Sequence, residues 1–371
     1  MKKILSLLVT VYLLVSPDSV LAVFEPRDFA NNKYGIHISD ESDLLDAASL
    51  VNGTNGKWGY VTFVIREDER DHDRWQKFFD QLRQLKLIPI VRIATKIENS
   101  NWTRPSLPEA TNWADFLNSL AWPVYNRYVV IFNEPNHAKE WGGDIDPQEN
   151  AQVLKTYSLT LKNASENFFI LPAALDSSAS DTDDTMSFSR FISELVVYDK
   201  TMFEFIDGWN SHSYPNPHFS GKATDMGLGT ITSWEQEIEI LSNYGLNPDI
   251  PVFITETGWS TTANSESDIT ANFLTAFTKV WIKKNIVAIT PFILDYVQEP
   301  LNVFSFKDPV TGNYFKFFDV ISTLPKIEGR PLEDTNIFDQ LNNLKEDTVA
   351  KSVDIITAIL QETTIDHIAQ N

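Results

Sequence analysis

The sequence contains no cysteine. That excludes a disulfide framework, a thiolate nucleophile, a Cys-ligated zinc and an iron–sulfur cluster. Basic charge is scarce: 30 Lys and Arg stand against 51 Asp and Glu, a net charge of −21 over 371 residues. Phosphate neutralisation needs clustered Lys and Arg, so nucleic acid is not an expected partner. Long hydrophobic runs are missing too. The run over 4–15 is too short to cross a bilayer and no other run reaches eighteen residues, so no integral membrane span is expected. The six His show no His-Glu-x-x-His spacing. Neither a Gly-x-Ser-x-Gly elbow nor a Gly-rich phosphate loop occurs. Asp176, Asp181, Asp183 and Asp184 lack the spacing of a calcium loop and read as a solvated segment. No metal and no cofactor is therefore expected.

What is present is aromatic: 10 Trp, 11 Tyr and 24 Phe, or 12% of the chain. Aromatics at that level suit a large packed core and equally suit sugar-stacking clefts, and composition does not choose between them. With 43% apolar and 22% charged residues the chain is globular in composition. Lys2 and Lys3, the apolar run over 4–15, the Ser16-Pro17 break and Val20-Leu21-Ala22 read together as a secretory signal over 1–22. The competing reading is an uncleaved anchor. A signal implies a secreted, cell-envelope or periplasmic protein.

Short β-branched or aromatic runs recur at 34–38, 60–65, 87–93, 128–132, 168–172, 205–209, 251–255 and 286–294. Segments with helical spacing follow them, at 73–85, 147–163, 189–197 and 269–284. Eight alternating units predict an α/β fold, a closed (β/α)8 barrel over 23–330 with long βα loops. An open doubly wound sheet would normally carry a Gly-rich first turn, and there is none. From 331 to 371 the chain turns acidic, with Leu341, Leu344, Val349, Val353, Ile356 and Leu360 at helical spacing. This is an expected helical tail, which packs on the barrel or makes a protein or envelope contact, the remaining reading being a disordered end.

Catalytic groups in such barrels sit where strands end at the C-terminal face. The fourth run ends Phe132-Asn133-Glu134-Pro135, and the seventh ends Ile254-Thr255-Glu256-Thr257-Gly258-Trp259. Each leaves a Glu where an apolar strand meets the cavity rim, a costly place for a carboxylate unless it is paired, hydrogen-bonded or protonated. Strands four and seven lie across the barrel, so both Glu can face one cleft. Two facing carboxylates are the minimal equipment for glycoside hydrolysis.

At these residues the sequence resembles the clan GH-A glycoside hydrolases, whose motif is Asn-Glu-Pro after the fourth strand and a Glu ending the seventh. Phe132-Asn133-Glu134-Pro135-Asn136 and His212-Ser213-Tyr214-Pro215 look most like family 39. Thr255-Glu256-Thr257-Gly258-Trp259 looks instead like the β-1,3-glucanases of family 17. The resemblance implies a retaining mechanism on a carbohydrate substrate, with Glu134 as acid/base and Glu256 as nucleophile. It also implies that Asn133 holds the sugar 2-hydroxyl, that Tyr214 orients Glu256 and that His212 lines the same subsite. An Arg near the nucleophile is expected, with Arg92 preferred over Arg66. His37 is a further cavity candidate. Trp141 and Trp259 are the candidate stacking platforms, and Tyr296 stands in for the Trp that many clan members place on the eighth strand. The alternative is an inactive barrel that binds envelope or extracellular polysaccharide.

Overall fold

The computed structural model describes residues 23–334. The expected signal, and the expected tail beyond 334, lie outside the described residues. Among the described residues, eight parallel strands alternate with helices: β1 (Gly35–His37), β2 (Gly59–Arg66), β3 (Leu87–Ala94), β4 (Arg127–Ile131), β5 (Phe168–Pro172), β6 (Trp209–His212), β7 (Val252–Glu256) and β8 (Ile286–Ile289). The intervening helices are α1 (Leu44–Asn52), α2 (His72–Leu85), α3 (Glu109–Ser119), α4 (Pro147–Ala164), α5 (Phe188–Tyr198), α6 (Ser233–Ser242) and α7 (Glu266–Thr275), with α8 (Lys316–Thr323) after the last strand.

Strands β1 to β5 pair consecutively in one sheet and β6 to β8 in a second. Two seams join the sheets. Tyr34 forms an isolated parallel bridge with Ile289, whose N donates to the Lys33 carbonyl at 3.0 Å. On the other side, Asp207 N donates to Ile170 O at 2.9 Å and Asn210 Nδ2 to Pro172 O at 3.1 Å. The strands thus follow one another in chain order, which is the (β/α)8 arrangement expected from the sequence.

Alternation along each strand divides the apolar residues between two layers. On β3, Ile88 and Ile90 join Tyr60, Tyr128, Val130, Phe169, Leu171 and Phe253 in the barrel interior. Val91 and Ile93 pack outward under the helices. Arg92 falls on the inward row, one step above Ile90, so period-two geometry alone aims it at the top of the barrel. The outer layer is built by helices such as α2. Asp71 caps it by accepting from Arg74 N at 2.8 Å, and it buries Trp75, Phe78, Phe79 and Leu82 on one face.

Two strands depart from expectation. The sixth begins at Trp209, where the sequence predicts 205–209, because Met202–Phe205 form a 3-10 turn. The residues that do pair, Trp209-Asn210-Ser211-His212, are polar but fully buried. Internal bonds make this tolerable: Thr255 Oγ1 donates to Asn210 Oδ1 at 2.6 Å and Ser211 Oγ to Glu237 Oε1 at 3.0 Å. The eighth strand stops at Ile289, short of the expected 294, just before Pro291, which has no N–H for a ladder. A smaller difference is that α7 gives way to a π turn at Ala276–Val280, where one helix over 269–284 is predicted.

Candidate active site

The two Glu arrive at the rim through local departures from strand geometry. After β4, strict alternation would turn Phe132 inward and Asn133 outward. Phe132 instead takes φ 69°, packing edge-on against Trp141 and Tyr157, and this lets Asn133 reach Arg92. Glu134 has φ 26°. Such backbones in non-glycine residues cost on the order of 1–3 kcal/mol each and persist only where the surroundings impose them. On β7 the register skips a residue: Ile254 pairs with Ser211 but Glu256 with His212. The irregularity re-aims Glu256, which by alternation would share the outward side of Ile254.

Arg92 Nη1 donates to Glu256 Oε1 at 2.5 Å and to Asn133 Oδ1 at 2.6 Å. The Tyr214 hydroxyl donates to Glu256 Oε2 at 3.1 Å. His212 Nδ1 lies 2.7 Å from Glu134 Oε1 and 3.7 Å from Glu256 Oε2, so the two carboxylates flank one imidazole. His37 Nε2 is 4.0 Å from Glu256 Oε1. A carboxylate oxygen of Glu134, one of Glu256 and a nitrogen of His212 all lie within 4.8 Å of one another. These three donors can hold a cation geometrically, but the Arg92 guanidinium already neutralises Glu256.

Electrostatics separates the groups. Burial pushes the Glu256 carboxyl up, but His212 and Arg92 together with the Tyr214 bond outweigh it and hold the pKa at about 2. Burial pulls the His212 imidazole down, yet the Glu256 charge and the bonded Glu134 carry it above its ordinary value. His37 has no charged bonding partner, and burial drives it to about 3, so it stays neutral. For Tyr214, burial and then the Glu256 and Glu134 charges raise the hydroxyl well above its ordinary range, keeping it a donor.

A cleft of about 350 Å³ adjoins this cluster over the ends of β1, β2 and β3, lined by His37, Arg92, Phe292, Trp102 and Tyr296 among others. Tyr296 is half-buried there. Trp141 and Trp259 are not. Trp141 is 0% exposed with its indole on Glu149, and Trp259 is 2% exposed with its indole on the Gly221 carbonyl. The structure corrects their expected role: neither presents a ring face to solvent. Arg66, the alternative arginine, pairs with Asp68 at 3.0 Å and not with Glu256. The aspartates set aside as a calcium loop have local partners, Asp176 with His137 at 3.0 Å and Asp181 with Ser187 N at 2.9 Å.

Sequence reasoning missed Trp102, which a short hairpin (Ile97–Glu98 with Asn101–Trp102) brings to the cleft. The rule that βα loops carry site residues could have flagged it, since it follows β3. It also missed Glu140 and Glu237, two buried carboxylates that no strand end or motif marks.

Residues 104–305 match the family model described as glycosyl hydrolase catalytic core. Over 222 residues the chain is 25% identical to a Saccharomyces cerevisiae protein described as chitin biosynthesis protein CHS6. That match takes in 54% of this chain but only 28% of the yeast protein's length. Among solved structures, a β-xylosidase from Caulobacter crescentus CB15 superposes with a TM-score of 0.54 at 11% identity, over 82% of this chain and 71% of the other. A glucosidase from Croceicoccus marinus gives 0.57 at 10% identity, over 81% and 67% of the two chains. A GH128 endo-β-1,3-glucanase from Sorangium cellulosum gives 0.51 at 15%, over 80% and 98%. At these identities the structural likeness shows the fold, and the expected resemblance to barrel glycoside hydrolases is borne out. The matched model spans more than half of the sequence, and the chain belongs to the glycosyl hydrolase catalytic core family.

Proposed function

We propose that this protein is an exported, retaining β-glycoside hydrolase that cleaves a neutral polysaccharide or oligosaccharide, with Glu134 as general acid/base and Glu256 as nucleophile. The spacing of the pair carries the reading. Their nearest oxygens lie within 4.8 Å, close to the roughly 5–5.5 Å of retaining pairs and well short of the roughly 6.5–9.5 Å that leaves room for an inverting water.

In the first step a Glu256 oxygen bonds to the anomeric carbon. The bond to the leaving oxygen breaks, and a proton from Glu134 goes to that oxygen. In the second step water attacks the same carbon, Glu134 takes the water's proton and the Glu256 ester bond breaks. Arg92 and Tyr214 support the nucleophile's role by keeping Glu256 charged until attack. His212 Nδ1, 2.7 Å from Glu134 Oε1, supports the acid/base role by holding that carboxyl in place. Export is supported by the leader chemistry of residues 1–22, and no helix among the described residues is long and apolar enough to cross a membrane. The strongly acidic surface favours an uncharged glycan.

Reducing-sugar release from β-glucans, xylan, mannan and galactan tests this, with the wild type compared against Glu134→Ala and Glu256→Ala. Each variant is expected to lose at least about 10³-fold in kcat. Two variants as active as the wild type would sink the assignment of the pair. Proton NMR of the first-formed product is expected to show the β-anomer, and an initial α-anomer would replace retention by inversion. Wild-type binding without cleavage would favour the inactive-barrel reading.

A further inference from the structure

A third carboxylate stands behind the pair. Glu140 follows the loop after β4 in a short 3-10 turn, Ala138–Glu140, with only 10% of its side chain exposed. Its Oε2 accepts from Asn133 Nδ2 at 3.1 Å. Arg92 and then Lys139 oppose the burial of its charge, but Arg92 is committed to Glu256, and Lys139, 3.9 Å away, is 63% exposed. Burial, followed by the charge of Glu134, pushes the Glu140 carboxyl above its ordinary value. A carboxylate buried in this place is costly for the fold, so packing alone does not account for it.

Its position says what it does. Glu140 borders a hollow of only about 10 Å³, shared with Arg92, Thr95, Trp102 and Asn133, and this is far too small for a sugar ring. Asn133, however, is bonded at both ends of its amide: Oδ1 accepts from Arg92 at 2.6 Å and Nδ2 donates to Glu140. An amide has two nearly isosteric orientations, and only one of them turns its oxygen to Arg92. Arg92 in turn contacts Glu256.

The geometry points to Glu140 as a positioning residue that sets the orientation of the Asn133 amide and, through Arg92, the placement of Glu256. The chain Glu140–Asn133–Arg92–Glu256 links a buried acceptor to the reacting carboxylate without Glu140 touching substrate. This rests on the hydrolase reading for its kinetic consequence but not for the orientation itself.

Two measurements separate those dependences. The first needs no substrate: exchange of the Asn133 side-chain amide protons in 1H–15N spectra. Slow exchange is expected in the wild type and in Glu140→Gln, whose amide oxygen still accepts, and fast exchange in Glu140→Ala. Slow exchange in Glu140→Ala overturns the positioning role whatever the enzyme does. The second uses laminarin, and failing its cleavage the first polysaccharide of the panel that the wild type cleaves. Glu140→Ala is expected to lower kcat on the order of 10- to 100-fold with KM little changed, and Glu140→Gln to recover most of the loss. In the Asn133→Ala background, Glu140→Ala is expected to add nothing. Independent, multiplying effects overturn the relay through Asn133. If Glu256→Ala is inactive while Glu140→Ala matches the wild type, the relay fails and the hydrolase reading stands. If Glu256→Ala matches the wild type, the hydrolase reading fails, and amide exchange still decides the role of Glu140.

Discussion

Arg92 and Glu256, 164 positions apart in the chain, meet at 2.5 Å with only 12% and 11% of their side chains exposed. A pair this buried cannot lose one member quietly, because the survivor keeps its desolvation cost without its partner. Arg92→Met is expected to destabilise the fold by about 3–5 kcal/mol in denaturant titrations. It also removes a charge that holds Glu256 low, so the acid limb of kcat/KM moves to higher pH. An unchanged acid limb would mean that Arg92 does not govern the ionisation of Glu256.

Tyr214→Phe deletes one hydroxyl and leaves the ring packed near Phe219 and Phe304. Hydrogen bonds to charged groups contribute about 1.5–3 kcal/mol. The variant should therefore lose roughly 10- to 100-fold in kcat/KM while its melting temperature stays near that of the wild type. A large fall in melting temperature with kcat/KM intact would reverse that assignment.

Glu237 makes stability depend on pH with an unusual sign. Burial beneath β6 raises its carboxyl from the ordinary 4.5 to about 7, despite bonds from the Trp209 indole at 2.8 Å and the Ser211 hydroxyl at 3.0 Å. Between those values the folded protein binds more protons than the unfolded chain, so this group's contribution falls as pH rises from 4.5 to 7. The fall is about 3 kcal/mol at most. His37, held at about 3, works the other way, since the unfolded chain gains its proton below 6.5. Subtracting the pH–stability curve of Glu237→Gln from that of the wild type isolates the carboxyl. A flat difference curve from pH 4.5 to 7 would contradict a raised Glu237.

The aromatic residues split by the same kind of test. Trp141→Ala empties a fully buried site and is expected to cost about 3–5 kcal/mol of stability. Tyr296→Ala, at the cleft, is expected to raise KM for polysaccharide up to about tenfold, the worth of one aromatic contact, with the denaturation midpoint unchanged. If Trp141→Ala raises KM at constant stability, its burial in the core is not its role.

The rhythm of eight strands, the inward row that contains Arg92 and the two strand-end Glu were all legible in the sequence, because alternation and strand termini are local properties. The bounds of strand six were not, since most of its buried residues are polar and its stability lies in bonds to β5, β7 and α6. The burial of Trp141 and Trp259 was equally hidden, since a tryptophan beside a catalytic loop reads the same whether its face meets a sugar or a helix. The sequence by itself determined the barrel and the candidates Glu134, Glu256, Asn133, Arg92, His212 and Tyr214. Only the tertiary structure decided their pairing. The left-handed turn at Phe132 and the register skip before Glu256 aim side chains that alternation would send elsewhere. Glu140 enters only through a hydrogen bond that closes in three dimensions, since ionic and hydrogen-bonded order depends on distances that the linear chain does not carry.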